Sequence, residues 1–229
     1  MSEGAVIVVS ILLAFGIDAL WAQRQLRIEE QEALVSLQVD FTTNLRKINE
    51  VIDKLVVSQK QFATLVRLSP EEIRALPPIT VSEIMKAAAN PWTFDPVLGT
   101  TDALVGAGKL GVIRETKLRE SLITFLNLLS DSIEDSSDMR FFAREVWLAE
   151  VKHGGPWSDP LTEIGHSGQV PGIDFIHQAT PEDLLNVRGD VQFIGLSSRF
   201  QIAVGYYVSE LERIRDQIEL ILNLIDEST

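Results

Sequence analysis

The stretch LVSLQVDFTTNLRKINEVIDKLVVSQKQFATLV, residues 34–66, has an apolar residue at every seventh position. These residues are Leu34, Phe41, Ile48, Leu55 and Phe62, interleaved by Leu45, Ile52 and Val66. A heptad-like stripe of this length is typical of a helix that packs against partner helices. No proline precedes residue 70 and no glycine lies between residues 22 and 99, so we predict one uninterrupted helix over residues 22–68.

Upstream of this helix, residues 4–22 (GAVIVVSILLAFGIDALWA) are apolar and carry a single charge near their end. A membrane-spanning helix needs roughly 20 mostly apolar residues, and this segment just meets that length. Trp21 lies where an aromatic interface residue is expected, with Arg24 and Arg27 beyond it at the level of the lipid headgroups. We therefore predict a membrane anchor over residues 1–22. The alternatives are a buried core helix and a cleaved signal peptide, although the basic start and the small-residue cleavage site of a signal peptide are lacking.

Within this anchor, Ser10, Ala14 and Asp18 recur every four residues and therefore share one helix face. A small-residue face lets a second membrane helix approach closely, so we predict that it packs against another helix. Such a match also arises by chance in apolar helices, which is the alternative interpretation. The anchor contains no histidine that could ligate a haem or a chlorophyll, and we predict no cofactor.

Two N-capping patterns predict short helices after the long one. The first is Ser69-Pro70-Glu71-Glu72, and residues 80–83 (TVSE) form a second capping box. Trp92 and Phe94 are expected to anchor the following loop on the helices. Residues 106–111 (GAGKLG) match the pattern G-x-G-x-x-G, but these glycines close a predicted helix and no strand precedes them, so we reject a dinucleotide site.

Two further long helices are predicted over residues 115–152 and 190–227, with a short helix starting after Thr180. The polar interval 130–138 (SDSIEDSSD) is interpreted as part of a continuous helix rather than a break. The apolar face of the first of these long helices is predicted to consist of Leu118, Leu122, Phe125, Leu126, Leu129, Ile133, Phe141, Phe142 and Trp147. The predicted fold is all-α: a single N-terminal transmembrane helix continues into an elongated antiparallel bundle of three long helices plus short helices. The bundle would occupy residues 23–229, outside the membrane.

Residues 153–181 form the one long irregular stretch, rich in glycine and proline. It contains all three histidines of the chain: His153, His166 and His177. Their spacing is not that of metal-ligand pairs such as H-x3-H, so we predict exposed loop histidines and no metal site. Trp157 in this loop, and Gly195 and Gly205 in the third long helix, are candidate contacts with a partner.

The composition excludes several classes of function. A formal net charge of −13 argues against binding to nucleic acid or lying flat on anionic lipid, because both surfaces need clustered cations. The chain has no cysteine, which excludes disulfides, thiolate catalysis and cysteine-ligated metal clusters. No H-E-x-x-H pattern and no nucleophile–base pair at helical spacing is present, so we predict that the protein is not an enzyme.

Two blocks of sequence resemble a family of bacterial single-pass membrane proteins that carry an uncharacterised helical domain. They are VVSILLAFGIDALWAQRQLRIEE followed by LVSLQVDFTTN, within residues 8–44, and TDALVGAGKLGVIRETKLRESL, residues 101–122. The resemblance implies an anchor in the inner (cytoplasmic) membrane with the helical domain on the periplasmic side, and it implies no activity. Members of the family usually carry a basic tail before the span, which this chain lacks. Arg24 and Arg27 by themselves favour a cytoplasmic domain, so two topologies stay open.

For function, the sequence predicts a non-catalytic structural or accessory subunit that docks onto a larger membrane protein assembly. An energy-converting complex, photosynthetic or respiratory, is one candidate host. The expected partners are the lipid bilayer and other integral membrane proteins, with a homo-oligomer as a further option. The alternative is a membrane-anchored helical sensor or small-ligand-binding module, because helical bundles can bind ligands between their helices.

Overall fold

The computed structural model describes residues 2–153 and 179–228, with the backbone alone for residues 2–7, 9, 10, 86 and 87. All regular secondary structure in these residues is helical, as predicted. The helices are α1 (Ser2–Arg67), α2 (Pro70–Arg74), α3 (Pro78–Ala87), α4 (Gly99–Gly106), α5 (Thr116–Glu150), α6 (Pro181–Gly189) and α7 (Val191–Ser228), with short 3₁₀ helices at Leu110–Val112 and Val151–His153.

Helix α1 contains 66 residues, so the N-terminal segment continues into the long helix without a linker, as predicted. The five apolar residues spaced by seven are all buried. Two of the predicted interleaved positions are wrong, because Leu45 is half-buried and Val66 is exposed. The buried positions between the heptad residues include Leu37, Asn44 and Ser58 instead. The buried stripe therefore steps by three and four residues and includes two polar side chains.

No helix in the described part of the chain combines the length and the apolarity that crossing a membrane requires. The membrane anchor predicted over residues 1–22 is therefore not supported by the structure.

The chain divides into two compact units, the first of which comprises Met1–Arg46, Pro96–Leu126 and Asp216–Thr229. Phe41 of α1 and Phe125 of α5 pack edge to face in its core, with ring centroids 4.9 Å apart. The surrounding buried side chains include Leu34, Leu37, Leu118, Leu122, Ile218 and Ile221. The first unit is thus held together by the apolar faces of α1, α5 and α7.

The second unit comprises Lys47–Asp95 and Asn127–Arg215. In it, α6 packs against α2, α3 and the 3₁₀ helix Val151–His153. Arg188 of α6 donates a hydrogen bond to the carbonyl of Leu68, just past the end of α1, where carbonyl groups lack intrahelical partners. Buried side chains of this unit include Ile48, Leu55, Ile73, Val81, Met139, Ala143, Leu184, Phe193, Phe200 and Tyr207.

Helices α1 and α5 run parallel in the first unit, which corrects the predicted antiparallel arrangement of the three long helices. Glu30 contacts Arg114, just before α5, and Phe41 contacts Phe125, so the residue numbers of the two helices rise together. Parallel neighbours require a long connection, because a short loop can only return the chain antiparallel. The segment before α5 provides that connection by running back beside α1.

Helix α7 runs antiparallel to α1 in the second unit. The Gln59 side chain donates to the carbonyl of Gln201, whereas Arg188, which precedes α7, donates to the carbonyls of Val66 and Leu68. Residue numbers therefore fall along one helix as they rise along the other. The antiparallel prediction thus holds for this pair of helices.

Capping chemistry sets the start of two short helices as predicted. Ser69 accepts from the Glu72 N–H at 3.2 Å while the Glu72 carboxylate accepts from the Ser69 N–H at 2.7 Å. Thr180 and Asp183 form the same reciprocal pair before α6. The capping box predicted at Thr80 is wrong, because α3 begins at Pro78, whose fixed φ suits the first helical position.

Helix α5 is continuous through residues 130–138, as predicted. Its buried face beyond that point differs from the predicted one, because Ile133, Phe141 and Trp147 are 63%, 53% and 46% exposed. The buried positions are Ser132, Ser136, Met139, Ala143 and Val146, spaced by four and three residues. Mostly small side chains therefore face the interior of the second unit, where they permit close packing, and several large apolar side chains face solvent.

Candidate functional site

The N-terminal part of α1 presents apolar side chains on all sides of the helix. Every residue from 11 to 28 is exposed, and no other described part of the chain covers this segment. The large apolar members are Ile11, Leu12, Leu13, Phe15, Ile17, Leu20, Trp21, Leu26 and Ile28. Contiguous exposed apolar surface of this kind marks contact with another molecule.

The contact residues predicted on this segment are not distinguished from their neighbours by burial. Five of them are exposed: Ala14, Asp18, Trp21, Arg24 and Arg27. The sixth, Ser10, has no described side chain. A depression beside Asp18 and Trp21 is lined by residues of α1 alone, so it cannot enclose a ligand.

A ladder of polar side chains on α1 holds the returning segment within the first unit. The Asn44 side chain, fully buried, donates to the Val97 carbonyl at 2.9 Å and accepts from the Val97 N–H at 2.7 Å. Asp40 accepts from the Thr100 N–H at 3.1 Å. These bonds replace the backbone partners that an irregular segment lacks.

At the end of the ladder nearest the N-terminus of α1, a carboxylate accepts two hydrogen bonds. Glu30 is 6% exposed, and its side chain accepts from the backbone N–H of Arg114 at 2.7 Å and from the Arg114 Nε at 2.5 Å. Charge-assisted bonds of this kind are the strong ones, and they offset the cost of burying the carboxylate. The roles of Glu30 and Asn44 were not predicted. Their one signal in the sequence is that each is a polar residue on or beside the buried stripe of a long helix.

In the second unit, a groove opens between α1, α3 and the segment after α3. Its volume is about 350 Å³, and it is lined by Asp53, Lys54, Val57, Ser58, Gln61, Glu83, Asn90 and Trp92. The Lys54 ammonium lies 4.0 Å from the centroid of the Trp92 ring, a cation–π contact. Phe94 follows two residues after Trp92, and its backbone N–H donates to the Tyr207 hydroxyl at 3.0 Å. Burial raises the pKa of Tyr207. Trp92 thus anchors this segment through its ring, as predicted, whereas Phe94 is held through its backbone N–H.

The C-terminal end of α5 carries several ionisable side chains. Glu150 is 4% exposed, and burial raises its pKa to about 7 because the charged carboxylate loses its hydration. His153 Nε2 lies 2.8 Å from Asp190 Oδ2, and Asp190 Oδ1 accepts from the N–H groups of Gln192 and Phe193. The hydrogen bond with His153, followed by these two backbone bonds, lowers the pKa of Asp190. The prediction of an exposed loop histidine is therefore wrong for His153, which joins the end of α5 to the cap of α7.

The remaining predicted contact and histidine residues lie in or near the loop predicted over residues 153–181 and in α7. Trp157, His166 and His177 lie outside the described residues. In the described ranges, no three histidine or acidic side chains come together in a way that could hold a metal ion. Gly195 is exposed with open space around it, whereas a Cβ at Gly205 would lie 3.5 Å from Gln59 Nε2. That distance is an ordinary van der Waals contact, so the space around neither position requires a glycine.

Comparison with known proteins finds no matching family model, curated protein or solved structure. The resemblance to bacterial single-pass membrane proteins stays a prediction.

Proposed function

We propose that this protein is a non-catalytic docking subunit that binds a larger membrane protein assembly through the N-terminal part of α1. The observation that supports the proposal is the exposure of every residue from 11 to 28, around the whole circumference of the helix. Covering a large apolar side chain stabilises a complex by about 1.5–3 kcal/mol. Nine such side chains are exposed here, so an apolar partner gains considerable stability from covering them.

The polar residues of this segment suit a membrane setting for the partner. Asp18 lies one turn before Trp21, and Arg24 and Arg27 follow, which is the order of residues at the edge of a lipid-embedded helix. The proposal does not require α1 to complete a span by itself, because partner helices and lipid both supply apolar contacts. The face of Ser10, Ala14 and Asp18 is the proposed contact with a partner helix, since small residues allow the closest approach.

In the same proposal, the domain that follows α1's apolar segment lies in the periplasm, on the outer side of the inner membrane. This placement rests on the resemblance of residues 8–44 and 101–122 to bacterial membrane proteins. A reporter that is active only outside the cytoplasm, fused after Thr229, should be active. A reporter active only in the cytoplasm would refute the placement.

Extraction of the source membranes in a mild detergent, followed by size separation, tests the docking role. The protein should co-migrate with a complex much larger than itself. Ala14→Leu places a bulky side chain on the proposed packing face and should weaken that co-migration, whereas Ala19→Leu, on another side of the helix, should not. Migration as a monomer or homo-oligomer before any substitution would refute the proposal.

A further inference from the structure

The groove in the second unit combines a cavity, an aromatic ring and two carboxylates. Its helix wall consists of two adjacent rows of α1, with Asp53, Val57 and Gln61 in one row and Lys54 and Ser58 in the other. The rest of the lining consists of Glu83 of α3 and of Asn90 and Trp92 from the segment after α3. A cavity of about 350 Å³ falls within the size range of small-ligand sites.

The ring of Trp92 already binds an ammonium group, that of Lys54, at 4.0 Å. The ring therefore presents an accessible π-face to a cation arriving from the groove side of α1. Lys54 extends from α1 on a flexible four-carbon stem, so its ammonium can leave the ring when another cation replaces it.

Charge in the groove also favours a cation. Asp53 and Glu83 contribute two carboxylates against the single ammonium of Lys54, and neither carboxylate forms an ion pair with a described residue. The whole chain carries a net charge of −13, which raises the local concentration of cations around it. An anionic ligand would instead meet two like charges at the same opening.

We propose that this groove binds a primary alkylammonium group, which takes the place of the Lys54 ammonium on the Trp92 ring and is neutralised by Asp53 and Glu83. The ligand is a small aliphatic amine or the lysine side chain of a partner, which share this chemistry. The site lies entirely on residues 53–92 and does not depend on the docking role of the apolar segment. If the protein is a small-ligand-binding module, the alternative function predicted from the sequence, the groove gives its ligand a defined chemical class.

The test uses the full chain labelled with 5-fluorotryptophan and followed by ¹⁹F NMR during titration with butylammonium. The signal of Trp92, identified by its loss in Trp92→Phe, should move in a saturable way, while 1-butanol, the neutral probe of similar size, should leave it in place. Equal responses to the charged and the neutral probe would overturn the proposal, as would no response to butylammonium at millimolar concentrations.

Two matched variants separate competition by Lys54 from a general charge effect. Lys54→Met removes the internal competitor and should tighten butylammonium binding by about two- to fivefold, the strength of one exposed cation–π contact. Lys60→Met removes the same charge further along α1, outside the groove, and should tighten binding less. Equal affinities in the two variants would overturn the proposed displacement.

The carboxylates and the source of the ammonium are tested in the same way. Asp53→Asn and Glu83→Gln should each weaken binding, whereas Glu71→Gln, outside the groove, should not; melting curves monitored by circular dichroism show that each variant is folded. If Glu71→Gln weakens binding as much as the groove variants, the assignment of the two carboxylates is wrong. Tighter binding of a capped lysine amide than of butylammonium indicates a partner's lysine as the ligand, and weaker binding indicates a free amine.

Discussion

Replacing Asn44 by alanine should destabilise the first unit. The amide of Asn44 is fully buried and satisfies both the N–H and the carbonyl of Val97. Truncation leaves both groups without a partner, and an unpaired, partly buried polar group costs about 1 kcal/mol or more. Two such groups give a loss of about 2 kcal/mol, which corresponds to roughly a 30-fold change in an equilibrium constant.

Hydrogen exchange at the Val97 amide measures this loss locally, and urea unfolding followed by circular dichroism measures it globally. Asn44→Ala should accelerate exchange at Val97 by about 30-fold and lower the free energy of unfolding by about 2 kcal/mol. Asn49→Ala is the matched control, because Asn49 is exposed on the same helix and its loss should change stability by less than about 0.5 kcal/mol.

Asn44→Asp refines the test. Aspartate keeps the acceptor for the Val97 N–H but faces the Val97 carbonyl with a second acceptor and buries a charge. The loss should therefore be at least as large as for alanine at neutral pH. Unchanged exchange at Val97 in Asn44→Ala, or equal losses in Asn44→Ala and Asn49→Ala, would refute the role assigned to this side chain.

Two further predictions concern the second unit. Burial raises the pKa of Glu150 to about 7, above its unfolded value, so the folded state loses stability as pH rises from about 4.5 to 7. In urea titrations, Glu150→Gln should therefore be more stable than the parent chain by up to about 3 kcal/mol at pH 8 and equal to it at pH 4. Glu120→Gln, at an exposed position of the same helix, is the control and should change stability little at either pH. Gly195→Leu, in open space, should raise the melting temperature slightly through helix propensity. Gly205→Leu should raise it less, because its side chain would extend beyond a Cβ that lies 3.5 Å from Gln59 Nε2 and would disturb the hydrogen bond from Gln59 to the Gln201 carbonyl. Equal shifts would contradict a role for that contact.

Much of the local structure follows from patterns in the sequence. The heptad positions of α1, the reciprocal caps at Ser69 and Thr180, and the continuity of α5 through its serine-rich interval are all confirmed. These features depend on 3.6-residue periodicity and on hydrogen bonds between residues three apart, so nearby residues decide them. The anchoring of Trp92 was also predictable, because large aromatic residues in a loop usually pack.

The candidate groove could be predicted only in part. Trp92 was expected to pack, but nothing near it in the sequence indicates that Lys54 contacts its ring or that Glu83 lines the same groove. The predicted buried face of α5 is wrong for a related reason, because the size of an apolar side chain does not by itself decide whether it is buried. Ser132 and Ser136 are buried although they are small and polar, because the helices packed around a position decide its burial.

The sequence by itself determined that the chain is helical, where most of its helices begin and end, and that α1 begins with an apolar segment. The tertiary structure decided that α5 runs parallel to α1, which surfaces face solvent and which polar side chains are buried. The direction of α5 follows from the path of the segment before it, held to α1 by Glu30, Asp40 and Asn44. Those contacts join residues 53 to 84 positions apart, and no local periodicity encodes such pairs.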